Sequence, residues 1–439
     1  MRHLTGRIFA ALCCLLSALH TPAAVSYVSP SGNDLNPGAI EAPFATLGRA
    51  LEGIGAGDTV YLRGGTYLIS ESQIADSQGP YAKVFRLSQS GECGRPIRVW
   101  GFPGERPVLD FSAVRPQGKR VAAFWVEGNW WHLRGFDIVG VQVSVRGHTQ
   151  SECITMRGGS HNLVEDIAMH DGMAIGYYAK GGCCNLVLNC DAYGNYDDFS
   201  EGAKGGNVDG FGGHVMSPAD TGNVFRGCRA WLNSDDGFDL INNRAAFVID
   251  SCWSFLNGYQ PVGCRHLLLA AALNPTVLSD SLRPAGDGAG FKSGGYGMRA
   301  NEPVRLSGPV PMNEVRNCLA WHNRQQGFYA NHHLGGLRFE DNLSAANPSN
   351  YNMVCRRSAE LPPRDVPGYG HIVCDNVSVA PRHPGQHLTN CDSAACALEN
   401  NRFSDEGYPD FLDLWLPVLT APRREDGRLP WPSETDGGQ

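Results

Sequence analysis

Between residues 167 and 328 the chain repeats one short pattern five times: an apolar or Cys leader, an Asn or Gly five positions on, then Gly followed by Phe or Tyr. The copies are Ile167, Gly172 and Gly176-Tyr177; Cys190, Asn195 and Gly210-Phe211; Cys228, Asn233 and Gly237-Phe238; Cys252, Asn257 and Gly290-Phe291; Cys318, Asn323 and Gly327-Phe328. The second interval is four residues in three copies but fifteen after Asn195 and thirty-three after Asn257, so long segments are inserted at those two points. A bare unit of 23 or 24 residues, measured between leaders, cannot bury a core alone and must stack on its neighbours.

The segments NLVEDIAMH, NLVLNCDAY, NVFRGCRAW, FVIDSCWSF, NEVRNCLAW and LRFEDNLSA have no helical period and read as brief strands with side chains alternating between core and surface. Stacked strands set equivalent residues above one another every ~4.8 Å. Asn195, Asn233, Asn257, Asn323 and Asn347 are then expected to form an internal ladder, each amide satisfying a turn and its neighbour. A general liking of Asn for turns explains single cases but not five at one offset. The fold class expected is all-β, a single-domain parallel β-helix.

With 439 residues, 54 Gly and 27 Pro, the chain is long and turn-rich, and no linker divides it. Arg2 and Arg7 precede the apolar run IFAALCCLLSAL and the small residues of HTPAAV, which predicts a secretion signal over 1–24. That run is too short to span a bilayer, so no membrane anchor is expected and the protein is predicted to be secreted, extracellular or periplasmic. The solenoid is assigned to 25–408, with a long loop over 258–289. A helix in APFATLGRALEGI, from the spacing of Phe44, Leu47, Ala50 and Leu51, is predicted to cap the open end. From 409 to 439 the repeat fades into an irregular tail. The expected form is a monomer.

Of the 15 Cys, Cys13 and Cys14 lie in the signal. Cys190, Cys228, Cys252 and Cys318 share the leader position and read as buried thiols. Cys183 with Cys184, Cys264, Cys355, Cys374, and Cys391 with Cys396 are the disulfide candidates of an exported chain. Cys264 and His266 would need two more ligands to hold zinc. The net charge of −8, about −10 without the signal arginines, argues against a nucleic-acid partner.

The chemistry gathers in three adjacent copies. Asp209 precedes Gly210-Phe211, while Asp235, Asp236 and Asp239 surround Gly237-Phe238. Aligning the Gly-Phe pairs sets Asp209 over Asp236. Each Asp-Gly taken singly is a turn pair. Four carboxylates within two rungs repel one another, however, and an all-oxygen set of loose geometry suits Ca²⁺. Lys292 falls two places after Gly290, as Asp239 does after Gly237, so the two should be neighbours. A cation nearby and partial burial would lower the Lys292 pKa, with Asp239 pushing the other way. A metal that binds a carboxylate beside a Lys base suits β-elimination on a uronic acid polymer: the base removes the C5 proton and the C4 glycosidic oxygen leaves.

At NVDGFGGH, NSDDGFDLI and DGAGFKSGG, and at the N-terminal YVSPSGND and APFATLGRAL, the chain resembles the pectate lyases of polysaccharide lyase family 9. The resemblance covers about residues 26 to 405. It implies a right-handed parallel β-helix, calcium held by Asp209, Asp235, Asp236 and Asp239 with the Gly237 carbonyl, and Lys292 as the base. It also selects pectate over alginate or another uronan as the acidic polysaccharide substrate, which the spacing does not. The Cys-rich loop around GCRHLLLAAAL departs from the family pattern. Arg299, Arg324, Lys204 and Lys180 lie in nearby copies and are candidate contacts for substrate carboxylates, although cations at such positions are often only solvated surface. A polygalacturonase-like hydrolase would use the same Asp residues but leaves Lys292 unexplained. A non-catalytic polysaccharide-binding solenoid, or a structural surface module, would need no base.

Overall fold

The computed structural model describes residues 23–147, 150–200, 205–261, 282–296, 309–357, 364–406 and 419–429. Among them, three parallel sheets of 12, 11 and 10 strands wrap one core. Each coil visits them in that order: Leu163–Glu165, Ala168–His170 and Ala174–Gly181 make one rung, and each strand pairs in parallel with its counterpart in the next. Among the described residues no helix is long and apolar enough to cross a membrane.

The nine-residue stretches expected to be single strands are each two strands in different sheets. One residue between them takes the left-handed conformation, as in Asp166 (φ 50°), Asn189 (φ 54°), Ser251 (φ 56°), Asn317 (φ 52°) and Asp341 (φ 54°), and the chain bends there. The leader follows the bend and points inward. Cys190, Cys228, Cys252 and Cys318 are fully buried. They stack so that Sγ of Cys252 accepts the Cys228 N–H at 3.3 Å and Sγ of Cys318 that of Cys252 at 3.4 Å.

No disulfide forms among the described cysteines, contrary to the expectation for Cys183, Cys184, Cys355, Cys374, Cys391 and Cys396. Several of these thiols have local polar partners instead: Cys183 on Ser160 (3.6 Å), Cys355 on His371 (3.2 Å) and Cys396 on the Gly368 carbonyl (3.2 Å). Cys264, His266 and most of the long loop lie outside the described residues, as do residues 1–22.

The Asn ladder is present. Asn233 Nδ2 donates to the Ala192 carbonyl (2.9 Å) and to Asn257 Oδ1 (3.1 Å), and Asn195, Asn257 and Asn323 repeat the arrangement. It explains the glycines of the motif, because a Cβ on Gly237, Gly290 or Gly327 would come within 2.8 to 2.9 Å of an Asn Nδ2 of the ladder. A second ladder, Asn162, Asn185 and Asn223, runs along another corner. The aromatic residue of each Gly-Phe pair turns inward. Phe211, Phe238, Phe291, Phe328 and Tyr351 stack with ring centroids 4.9 Å apart, one per rung.

The capping helix is a single turn, Leu47–Ala50, shorter than the spacing predicted. Thr46 caps it by accepting the Arg49 N–H (3.2 Å), Leu47 and Ala50 are buried, and Gly53 (φ 72°) follows its end. The tail is not wholly free of the solenoid. Leu419 is buried in an outer apolar cluster with Trp231, Trp253 and Trp321, and Arg423 pairs with Asp191.

Candidate active site

The site grows from the register of the 10-stranded sheet. Phe211 pairs with Phe238, Phe238 with Phe291 and Phe291 with Phe328, so the next residues, Gly212, Asp239, Lys292 and Tyr329, form an outward column. Their strands are short: Phe211–Gly213, Phe238–Asp239, Phe291–Lys292 and Phe328–Tyr329. Asp209 and Asp236 stand two residues before the paired Phe, one rung apart.

Asp209, Asp235 and Asp236 each offer a carboxylate oxygen, and the three oxygens lie within 4.8 Å of one another. Backbone N–H groups hold these side chains. Asp236 N donates to Asp209 Oδ1 (3.2 Å), Asn207 N and Asp287 N to the two oxygens of Asp235 (2.7 Å each), and Ala289 N to Asp236 Oδ1 (2.6 Å). Asp239 stands apart from the three. Its Oδ1 accepts the Ile241 N–H (2.7 Å), and its Oδ2 faces Lys292 Nζ at 3.4 Å and His214 Nε2 at 3.7 Å. Lys292 Nζ also donates to Asp236 Oδ2 at 3.0 Å. The Gly237 carbonyl accepts the Phe211 N–H at 3.0 Å and is engaged in the sheet ladder.

Burial is the main force on the acids. Together with the neighbouring carboxylates it raises Asp209 well above the usual aspartate range and Asp235 to about 7. Asp236 rises to about 6 and Asp239 also rises, Lys292 partly offsetting both. Burial opposes the Lys292 ammonium, but Asp236, Asp239, Asp235 and Asp209 outweigh it and hold the group well above the ordinary lysine value. The expected lowering of Lys292 is therefore absent while the acids carry their full charge. One ammonium faces four carboxylates.

That imbalance tests the fit to a metal. Three converging carboxylates, Asp209 and Asp236 buried and Asp235 half-buried, without an equal number of cations among the described residues and in an all-oxygen donor set, suit a hard divalent ion such as Ca²⁺. Asp209, Asp235 and Asp236 could hold it, with Asp239 on the Lys292 side.

Arg324 braces the site from behind: its Nη1 donates to the carbonyls of Gly286 (2.6 Å) and Asp287 (3.2 Å), on the segment whose N–H groups hold Asp235 and Asp236. Lys180 lies 5.9 Å from the Tyr178 ring, and its charge bears on His214. Lys204 and Arg299 lie outside the described residues.

Sequence reasoning missed three groups. His214 Nε2 is buried without a hydrogen-bond partner among the described residues, and burial, with Lys292 and Lys180 adding to it, lowers its pKa to about 3. Its only sequence signal was the end of NVDGFGGH. Asp287 adds a fifth carboxyl near the cluster, hidden in an ordinary Asp-Gly pair of the inserted segment. Tyr329 follows Lys292 in the column and was legible from the register alone.

The fold and this site together define a β-helix polysaccharide lyase. The chain belongs to the Pel9A-like right-handed β-helix family, whose model matches residues 26–364. It is 31% identical over 409 residues to pectate lyase L of Dickeya dadantii (strain 3937), across 92% of this chain and 82% of that protein. Among solved structures it superposes on a rhamnogalacturonan lyase with a TM-score of 0.85 and 45% identity, covering 93% of this chain and 95% of that one. On pectate lyase Pel9A the TM-score is 0.65 at 28% identity, covering 94% and 88%.

Proposed function

We propose that this lyase is calcium-dependent and cleaves a galacturonate-containing polysaccharide by β-elimination, with Lys292 as the base. The observation that carries the reading is Lys292 Nζ lying 3.0 Å from Asp236 and 3.4 Å from Asp239, beside the three converging carboxylates. Calcium, when bound, supplies positive charge that neutralises the substrate's C6 carboxylate and stabilises the enolate developing at C5. Asp209, Asp235 and Asp236 would hold it, kept in orientation by the N–H groups of Asn207, Asp236, Asp287 and Ala289. With those carboxylates engaged, three of the four charges that hold Lys292 protonated would be balanced, Asp239 alone remaining, and burial would favour the neutral amine. Lys292 takes the C5 proton, the C4–O4 bond breaks, and a C4–C5 double bond remains in the product. Asp239 keeps the amine positioned.

Polygalacturonate is the substrate suggested by the pectate lyase relatives. The rhamnogalacturonan backbone is a second reading, favoured by 45% identity over nearly the whole of both chains. Both are cut by the same chemistry at a galacturonate residue. Residues 1–24 are read as a signal removed on export, 25–408 as the catalytic solenoid and 409–439 as its tail.

The test is ultraviolet absorbance of the unsaturated product on each polymer, with calcium and then with chelator. A calcium-dependent rise that is lost in Lys292→Ala by about 100-fold or more supports the mechanism. New reducing ends without the absorbance would establish a hydrolase instead. The preferred polymer is the one with the higher kcat/KM.

A further inference from the structure

The elimination calls for one more group: the departing O4 needs a proton while Lys292 is occupied with the C5 proton and the Asp residues are assigned to the metal. The column that carries Lys292 continues with Tyr329, paired with it in the sheet and one rung further on. The Phe291 and Phe328 rings beneath these two residues are 4.9 Å apart. Tyr329 is half-buried on the same outward face, on the side of Lys292 away from Asp239.

Its hydroxyl lies 2.9 Å from His332 Nε2, and His332 Nδ1 lies 2.8 Å from Asp365 Oδ1. Arg356 Nε donates to the same Asp365 oxygen at 3.0 Å. The four residues come from two segments. Asn331 (φ 52°) and His332 (φ 56°) are consecutive left-handed residues that turn the imidazole back toward Tyr329, and Asp365 is brought in by the antiparallel pairing of Asp365–Val366 with Cys355–Arg356. A carboxylate only accepts, so Asp365 fixes a proton on Nδ1 and leaves Nε2 to exchange one with the phenol. Burial, opposed by Lys292 and aided by Asp365, Asp236 and Asp287, pushes the Tyr329 phenol up to about 12, which keeps it protonated.

We propose that Tyr329 is the proton donor to the leaving glycosidic oxygen, with His332 and Asp365 as the positioning residues that resupply it. The proposal rests on the lyase reading with Lys292 as base. In the working state proposed, with both ring nitrogens of His332 carrying protons, Nδ1–H donates to Asp365 and Nε2–H to the Tyr329 oxygen, which leaves the phenol proton free for O4. Lys292 takes the C5 proton, the C5–H electron pair forms the C4–C5 double bond, and the C4–O4 pair passes to O4. O4 takes the Tyr329 proton and Tyr329 takes the Nε2 proton of His332. Lys292 then loses a proton and His332 regains one through solvent, which balances the cycle.

Tyr329→Phe keeps the ring and removes the hydroxyl that carries the proton. It should lower kcat by roughly 100-fold with KM changed by less than about threefold and calcium binding retained. His332→Ala should lose activity that free imidazole partly restores, an effect a purely structural role would not show. A kcat for Tyr329→Phe within about twofold of wild type, or no imidazole rescue of a folded His332→Ala protein, overturns the relay. Absence of unsaturated product from the wild type overturns the lyase reading and the relay with it. Wild-type product lost in Lys292→Ala but undiminished in Tyr329→Phe overturns the donor alone.

Discussion

The 10-stranded sheet is built in two ways along its length. Toward the N-terminal end its strands are seven or eight residues long: Tyr81–Leu87, Arg120–Val126, Ser151–Arg157 and Ala174–Gly181. In the rungs of the site they shrink to two or three. The outer face differs in charge as well. Around the long strands acids are paired with bases: Glu152 with Arg157 (3.0 Å), and, just outside the strands, Asp76 with Lys83 (2.8 Å) and Glu127 with Arg86 (2.8 Å). Around the short strands four acids share Lys292. Shortening frees backbone N–H groups from the ladder, and those of Asn207, Asp287, Ala289 and Ile241 go to carboxylates instead. The long-strand half spends its hydrogen bonds on stability, whereas the short-strand half spends them on aiming charges that remain uncompensated.

Removing one acid from each half should separate these roles. Glu152→Ala leaves the Arg157 guanidinium, itself only 15% exposed, without its carboxylate, and should destabilise the fold by about 3–5 kcal/mol while leaving calcium affinity unchanged. Chemical denaturation and calorimetric calcium titration measure the two. A drop in calcium affinity there would mean that the halves are coupled and the contrast is wrong.

Asp236→Ala should do the reverse. It removes a carboxylate of the cluster and a partner of Lys292, and should weaken calcium binding by about 100-fold, or ~2.7 kcal/mol. Stability of the chelated protein should fall far less than in Glu152→Ala, because the lost charge was one the site held uncompensated. Unchanged affinity would exclude Asp236 as a ligand.

The smallest effect is a pH dependence. Folding raises the pKa of Asp235 to about 7 and of Asp236 to about 6, so the folded protein binds these protons more tightly than the unfolded chain. The stability they contribute is complete below about pH 4, the ordinary aspartate value, and is lost as pH rises through about 6 to 7. Chelated protein should therefore show a Tm that falls across that window, and calcium should raise Tm more at pH 8 than at pH 5. A Tm of the chelated form that is flat or rising across the window would contradict the imbalance of charge.

Much of the core was legible because a solenoid repeats one rung. Once Gly237-Phe238 is aligned with Gly290-Phe291, the pairing of Asp239 with Lys292 follows, and the structure has that register. The Asn ladder and the buried Cys column follow from the same periodicity. What recurs in one chain at a fixed interval must stack, since each rung can bury its apolar face only against the next.

Features outside the repeat were decided by the tertiary structure. The two-strand bends at Asp166 and its equivalents depend on backbone conformation that an apolar pattern does not encode. The partners of the Asp235 and Asp236 carboxylates come from inserted segments of no fixed period, and the union of Tyr329, His332 and Asp365 requires a hairpin 33 residues along the chain from His332. The tail, read as irregular, lays Leu419 into the outer aromatic cluster. The protonation of Lys292 was also beyond sequence reasoning, because it is set by a sum of distances to four carboxylates. Thus the sequence by itself determined the stacking, the core columns and which Asp and Lys share a face, since these depend only on period. The folded chain alone decided how each side chain is aimed and charged, because hydrogen bonding and electrostatics act through space and depend on where non-repeating loops return.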